Sequence, residues 1–240
     1  MQNKKAEKQF FDEFVINNTN YDVFDKNGYK VLTNKFKELI APKKGQILLD
    51  LGGGTGAFGN KLNQFDLNIN IVDISFNSVK IANKLNNSIQ ADIEQLPFKE
   101  NSVDIVCYSG VLHHFENFRK VLQEGYRVLK SGGKIFAYEP HYYNPFMWLY
   151  RAKNSPFSSI KGRTNNERLL TELELFFELF NAGFLNKNIY INPVSGITYK
   201  YIDSKVISKL LFLYNFQERL FKYTGLENEL GSFLIVCAEK

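Results

Sequence analysis

Between Ile47 and Gly59 the chain reads ILLDLGGGTGAFG. Three apolar residues lead to an acid, glycines follow at every second position (Gly52, Gly54 and Gly56), and a helix-compatible run starts near Ala57. That order is a strand ending in a tight turn before a helix. Glycine lets the backbone take positive φ and lets a ligand come close where a Cβ would collide, while the next helix exposes unpaired N–H groups at its N-terminus. A polar, flat ligand is expected there.

The residues discriminate between the chemistries that use such a turn. A phosphate-cradling loop needs GxxxxGK followed by Ser or Thr, and the frame from Gly54 to Gly59 continues Asn60-Lys61-Leu62, with the lysine misplaced and the hydroxyl missing. A dinucleotide fingerprint can be laid on Gly52, Gly54 and Ala57, with Asp73 as the ribose acid of an NAD-dependent oxidoreductase. It leaves Asp50 unexplained. A carboxylate two residues before the first glycine repels a pyrophosphate and attracts an ammonium group.

Asp50-Leu51-Gly52-Gly53-Gly54-Thr55-Gly56 resembles motif I of the class I S-adenosylmethionine-dependent methyltransferases, an acid followed by GxGxG. Family members often carry Cys where this chain has Gly53, a departure expected to loosen the loop without removing a contact. The resemblance continues in order: Asp73 at the tip of a second strand, Asp92-Ile93 followed by Leu96-Pro97-Phe98, the segment Ser109 to Phe115, and RVLKSGGKIFAYEP up to Pro140. It implies S-adenosylmethionine as cofactor, with Asp50, Gly52, Gly53, Gly54 and Gly56 at its methionine part. Asp73 and Ile74 fall at the ribose, Asp92 and Ile93 at adenine, and Ser109, Gly110 and Val111 beneath the sulfonium. Non-catalytic binding of the same cofactor fits these residues equally well. The implied fold is α/β, a Rossmann-like sheet of seven mainly parallel strands with strand seven antiparallel beside strand six.

Composition agrees with one domain. Of 240 residues, 44% are hydrophobic and 23% charged, enough to bury a full core without staples. Residues 46–140 read as the cofactor-binding core, 1–41 as an N-terminal helical lid, and 141–170 and 193–223 as cap elaborations. The start, MQNKKAEKQFFDEF, lacks the apolar stretch of a secretory signal, so a cytoplasmic location is expected. Cys107 and Cys237 sit in separate strand-like segments without CxxC spacing, which suits reduced core thiols. The net charge of +5 is modest and no nucleic-acid motif accompanies it, so the expected partner is a small-molecule substrate bound by a monomer or homodimer.

Ligands of open α/β sheets lie outside the carboxyl ends of the strands. Glu139, His141 and Tyr142, just beyond strand five, are therefore expected to orient an acceptor or take its proton, although methyl transfer needs chiefly in-line positioning. Tyr21, His114, Tyr143 and Arg151 are candidate substrate contacts and Tyr29 a cofactor contact. His113 and His114 lack a Glu or further His at ligand spacing, so no metal is expected. Met147 to Arg168 is expected to be a mobile cap. Ser204–Tyr223 reads as a basic amphipathic helix whose apolar stripe, including Leu213, Tyr214 and Leu220, faces the core or touches a membrane peripherally.

Overall fold

A computed structural model describes residues 4–17, 22–155, 157, 164, 166–200 and 207–240. The chain opens with helices α1 (Lys4–Asn17) and α2 (Lys26–Ile40), then runs β1 (Ile47–Leu51), α3 (Gly59–Leu62), β2 (Asn68–Asp73), α4 (Phe76–Ala82), β3 (Asn87–Gln90), β4 (Val103–Ser109), α5 (Arg119–Val128) and β5 (Leu129–Pro140). It closes with α6 (Pro145–Arg151), α7 (Glu172–Ala182), β6 (Ile189–Val194), α8 (Leu211–Thr224), α9 (Glu227–Leu230) and β7 (Phe233–Glu239).

The seven strands are ordered β3-β2-β1-β4-β5-β7-β6, all parallel except β7, which is antiparallel to both its neighbours. The sheet winds outward from β1 to β3, then restarts at β4 on the other side of β1. This reversal opens a crevice at the tips of β1 and β4, where neighbouring loops diverge. Period-two alternation fills both faces. Leu48, Cys107, Phe136 and Tyr138 join α2 and α3 in one core, while Leu49, Leu51, Tyr108 and Ala137 join α5 and α7 in the other. Both thiols are free and buried, and burial raises the pKa of Cys237 to about 11.

Local chemistry explains the helix starts. Asp25 caps α2 by accepting from Gly28 N at 2.8 Å, and Leu32, Phe36 and Ile40 recur at four-residue spacing to bury one face. Phe36 lies edge-on to Phe136 with centroids 5.4 Å apart. Thr171 caps α7 through Glu174 N at 3.3 Å, as its spacing predicts, but the Glu174 carboxylate pairs with Arg168 and closes no capping box.

Several expectations change. Lys130–Gly133, whose paired glycines suit a turn, is part of β5, because Leu129 pairs with Val103 across a bulge and Gly132 N donates to Lys240 O at 2.9 Å. Helix α6 overlaps the start of the expected mobile cap and is begun by Asn144, whose Oδ1 accepts from Phe146 N and Met147 N, with Pro145 in the first turn. Lys161 and Arg163 from that cap, Tyr21, and Ser204 to Val206 lie outside the described residues. On α8 the buried side chains are Tyr214 and Glu218, whereas Leu213 and Leu220, from the stripe expected to face the core or a membrane, are exposed with Phe212, Phe216 and Tyr223, so the core-facing alternative does not hold for them. Glu218 turns the helix because its Oε2 accepts from Gly196 N at 2.8 Å and Ser232 Oγ at 2.7 Å. No helix among the described residues is long and apolar enough to cross a membrane.

Candidate active site

The turn after β1 is built as its glycines require. Gly52, Gly54 and Gly56 all take positive φ, and Gly52 N donates to Val72 O at 2.7 Å, tying the turn to β2. Gly53 does not loosen it. A Cβ there would stand 2.8 Å from Asp50 Cγ and 2.9 Å from Ile71, so its absence lets the loop close over the Asp50 carboxylate.

Asp50 is fully buried and does not line the cavity, which corrects the expectation of direct contact with an ammonium group. Its Oδ1 accepts a short bond from Ser109 Oγ at 2.5 Å, joining the tips of β1 and β4, and its Oδ2 has no hydrogen-bond partner among the described residues. Burial pushes its pKa up to about 7, against the Ser109 bond and with help from the charge of Asp73. Gly56 likewise lies outside the cavity lining.

A cavity of about 270 Å³ opens at the strand tips. Gly52 to Gly54, Asp73, Ile74, Asp92, Ile93, Ser109, Gly110, Val111 and Tyr29 all line it. Asp73 Oδ2 accepts from Gly54 N at 2.9 Å and Oδ1 from Ser75 N at 2.8 Å, which fixes its carboxylate while leaving each oxygen a further lone pair. Burial raises its pKa, and these two N–H groups oppose the shift.

Helix α1 roofs this cavity. Lys4 pairs with Asp92 at 2.5 Å and with Glu94, Asp12 accepts from Ser75 Oγ at 2.7 Å and Asn77 N at 3.1 Å, and Phe11 and Phe14 supply apolar lining.

The residues expected to be catalytic sit elsewhere. Along β5, Tyr138 and Pro140 line the cavity, so Glu139 points to the opposite face. There it is fully buried, accepting from Val111 N, Leu112 N and His113 N and pairing with His113 Nδ1 at 2.7 Å. Burial pushes its pKa up to about 7, opposed by these N–H groups. His141 is also fully buried, bonded through Nδ1 to Gly231 O at 2.8 Å, with Nε2 3.3 Å from Glu172. Tyr142 and Tyr143 are exposed, and neither lines the cavity.

The wall beside Val111 is polar instead: His113, His114, Arg151, Glu167 and Glu7 meet there. His114 and Arg151, expected as substrate contacts, line the cavity at this wall; Glu7 and Glu167 carry no local sequence signal because they lie 160 residues apart, on α1 and before α7. Burial and the neighbouring His114 hold His113 well below the usual imidazole range. Burial opposes protonation of His114 too, but Glu167 and Glu7 outweigh it and raise its pKa. Glu167 falls below the usual carboxylate range despite burial, through His114 and Arg151.

Asp50, Glu139 and, on α8, Glu218 each have a pKa near 7 through burial. Between their unfolded values and about 7 the folded chain holds more protons than the unfolded one, so their contribution to stability is lost as pH rises through 7. Glu218→Gln removes one such group away from the cavity. It is expected to lose about 2 kcal/mol less than the parent between about pH 5 and about pH 8, roughly 5 °C in Tm. Superimposable Tm profiles for the two chains would refute this.

Strand order, glycine turn and strand-tip acids together define a class I methyltransferase fold. Residues 49–137 match the family model described as a methyltransferase domain. A ubiquinone/menaquinone biosynthesis C-methyltransferase of Haemophilus ducreyi is 32% identical over 122 residues, 45% of this chain and 47% of that protein. A malonyl-acyl-carrier-protein O-methyltransferase of Buchnera aphidicola is 27% identical over 88% of this chain and 90% of its own. A solved S-adenosylmethionine-dependent methyltransferase from Archaeoglobus fulgidus superposes with a TM-score of 0.60 at 17% identity, covering 88% of this chain and 94% of that one. The alignment spans about half the length of the quinone relative and of several others. Residues 49–137 thus match a methyltransferase domain, and the fold around them is that of the class I S-adenosylmethionine-dependent methyltransferases.

Proposed function

We propose that the chain transfers a methyl group from S-adenosylmethionine to a small acceptor, a small molecule or a sugar or lipid precursor, at an O, N or C atom. The observation that carries this reading is one cavity whose lining comes from the tips of β1, β2, β3 and β4 in turn. Gly54, at φ 55° with open space where a Cβ would project, lets a ligand approach the backbone. Asp73 can accept from two ribose hydroxyls, Ile74 and Ile93 offer apolar flanks to adenine, and Asp92 an acceptor for its amino group. Asp50 acts through Ser109 by holding the loops of β1 and β4 in register.

S-adenosylmethionine, when bound, supplies an electrophilic methyl group. The protein's part is to bring the acceptor in line and exclude water. Helix α1 with Phe11 and Phe14 excludes water, and its closeness over the cavity favours an acceptor of small size. Where the acceptor must lose a proton, the group at the wall best suited to take it is His114, whose pKa Glu167 and Glu7 raise against burial, in place of Glu139, His141 and Tyr142. The exposed row Phe212, Phe216, Leu220 and Tyr223 on α8, beside Lys209, Arg219 and Lys222, accords with peripheral contact at an anionic lipid surface during delivery of a lipid-like acceptor.

The test is turnover with methyl-labelled S-adenosylmethionine against glycan, lipid-precursor and small-molecule acceptors, reading S-adenosylhomocysteine and label in the acceptor. Product formation is expected with one of these classes. Saturable cofactor binding without turnover on any of them would favour a non-catalytic binding protein, and absence of binding would overturn the reading.

A further inference from the structure

His113 and His114 lie in the short 3-10 turn Leu112–His114 after β4, and two carboxylates from distant parts of the chain face them. His114 Nδ1 is 3.7 Å from Glu7 Oε2 and 3.8 Å from Glu167 Oε1, and His113 Nε2 is 4.0 Å from Glu167 Oε2. These distances are too long for hydrogen bonds. They approach the separation of about 3.3 Å between ligand atoms placed tetrahedrally around a metal with bonds of about 2.0–2.1 Å. His113 Nε2, His114 and Glu167 together offer three ligand atoms within 4.8 Å of one another.

The surroundings suit such a centre. Glu139 Oε2 lies 2.7 Å from His113 Nδ1; with Nδ1–H donating to that carboxylate, the Nε2 lone pair is left on the side of Glu167, and a buried carboxylate behind a ligating imidazole is the usual way a metal-binding tautomer is fixed. Glu167 is itself held by Thr164 N at 3.1 Å, and Glu7 by Asn166 Nδ2 at 2.7 Å. On the other side, Arg151 Nη1 lies 3.0 Å from Glu167 Oε2 and 3.4 Å from His113 Nε2, and Thr164 Oγ1 is 3.4 Å from His114 Nδ1. In this arrangement the guanidinium occupies one side of the position a cation would take.

We propose that His113 Nε2, His114 Nδ1 and the Glu167 carboxylate bind a divalent transition metal of the zinc, cobalt or iron(II) class, with Glu7 closing a fourth position and Arg151 moving aside. Two imidazoles and a carboxylate select such ions over magnesium or calcium. The ion would sit on the cavity wall beside Val111 and hold an oxygen of the acceptor, a use that rests on the function proposed above. Metal binding itself does not depend on that function.

The experiment is a Co2+ titration of the chelator-treated chain followed by visible absorption, with Zn2+ competition and circular dichroism to verify folding. One equivalent of Co2+ is expected, with affinity falling at least about 10-fold in His114→Asn and Glu167→Gln, and about 10- to 100-fold in Glu139→Gln through the orientation of His113. Arg151→Met, which removes the competing cation, is expected to bind Co2+ more tightly, a gain that a misfolded variant does not produce. Absence of Co2+ absorption by the folded parent chain, unchanged affinity in His114→Asn, or weaker binding in Arg151→Met would overturn the proposal. Calorimetric titration with S-adenosylmethionine, run on the same metal-free sample, separates failure of the metal site from failure of the methyltransferase reading.

Discussion

Asp73→Ala is expected to weaken S-adenosylmethionine binding by roughly 100- to 1000-fold in calorimetric titration. A carboxylate accepting two ribose hydroxyls contributes two charge-assisted hydrogen bonds, each worth about 1.5–3 kcal/mol. The substitution also removes the acceptor of Gly54 N, so the glycine turn loses a tether at the point where the ligand meets it. Asp73→Asn retains one acceptor oxygen but not the charge, and should fall between the parent and alanine. NAD, titrated alongside, should give no saturable heat. Affinity for S-adenosylmethionine within about twofold of the parent in Asp73→Ala would remove this residue from the cofactor site and the strand-tip reading with it.

Gly52→Ala should show the largest cost to stability in the same loop, and Gly54→Ala the clearest separation of stability from binding. Gly52 has φ 65°, and a Cβ there would lie 2.3 Å from Val111 Cγ2 and 2.6 Å from Val111 Cβ. Strain of the left-handed region and overlap with a β-branched neighbour together should cost about 3 kcal/mol, seen as roughly a 10 °C fall in Tm. Val111→Ala added to it should recover part of that loss, because the overlapping atoms are the valine methyls. At Gly54 the φ of 55° is equally unfavourable, but nothing lies within 4 Å of the added Cβ, so the stability cost is about 1 kcal/mol. That Cβ projects into the cavity and should weaken S-adenosylmethionine binding far more than it lowers Tm. Equal Tm for the two variants would contradict the packing at Gly52.

The expectations at β5 failed for a geometric reason. Glu139 and His141 are close to the cavity along the chain, yet a strand sends successive side chains to opposite faces, and Tyr138 and Pro140 take the cavity side. Proximity in sequence to a strand tip selects the end of the sheet; parity selects the face. The sequence could not assign that parity, because Ile135, Phe136, Ala137 and Tyr138 are all apolar; only the fold puts Phe136 and Tyr138 in a core with Cys107 and Ile135 and Ala137 in the other. On α8 the core-facing alternative failed differently: three-dimensional partners for one carboxylate, Gly196 N and Ser232 Oγ, outweighed the hydrophobic periodicity and drew Glu218 inward.

By itself the sequence determined whatever depends on residues close along the chain. A short apolar run leading into the glycines specified the first strand, glycines at every second position required positive φ after β1, and an acid at each of three successive strand ends marked where a ligand would lie. These are local effects of backbone sterics and side-chain alternation. Tertiary structure alone decided which carboxylates face the cavity and which brace it. It turned Asp50 inward to Ser109, set Glu139 behind His113, and brought Glu7 and Glu167, 160 residues apart, to the same imidazole. No local rule encodes that meeting, because the orientation of a buried charge is set by whichever donors the folded chain places around it, and those donors come from elements far apart in sequence.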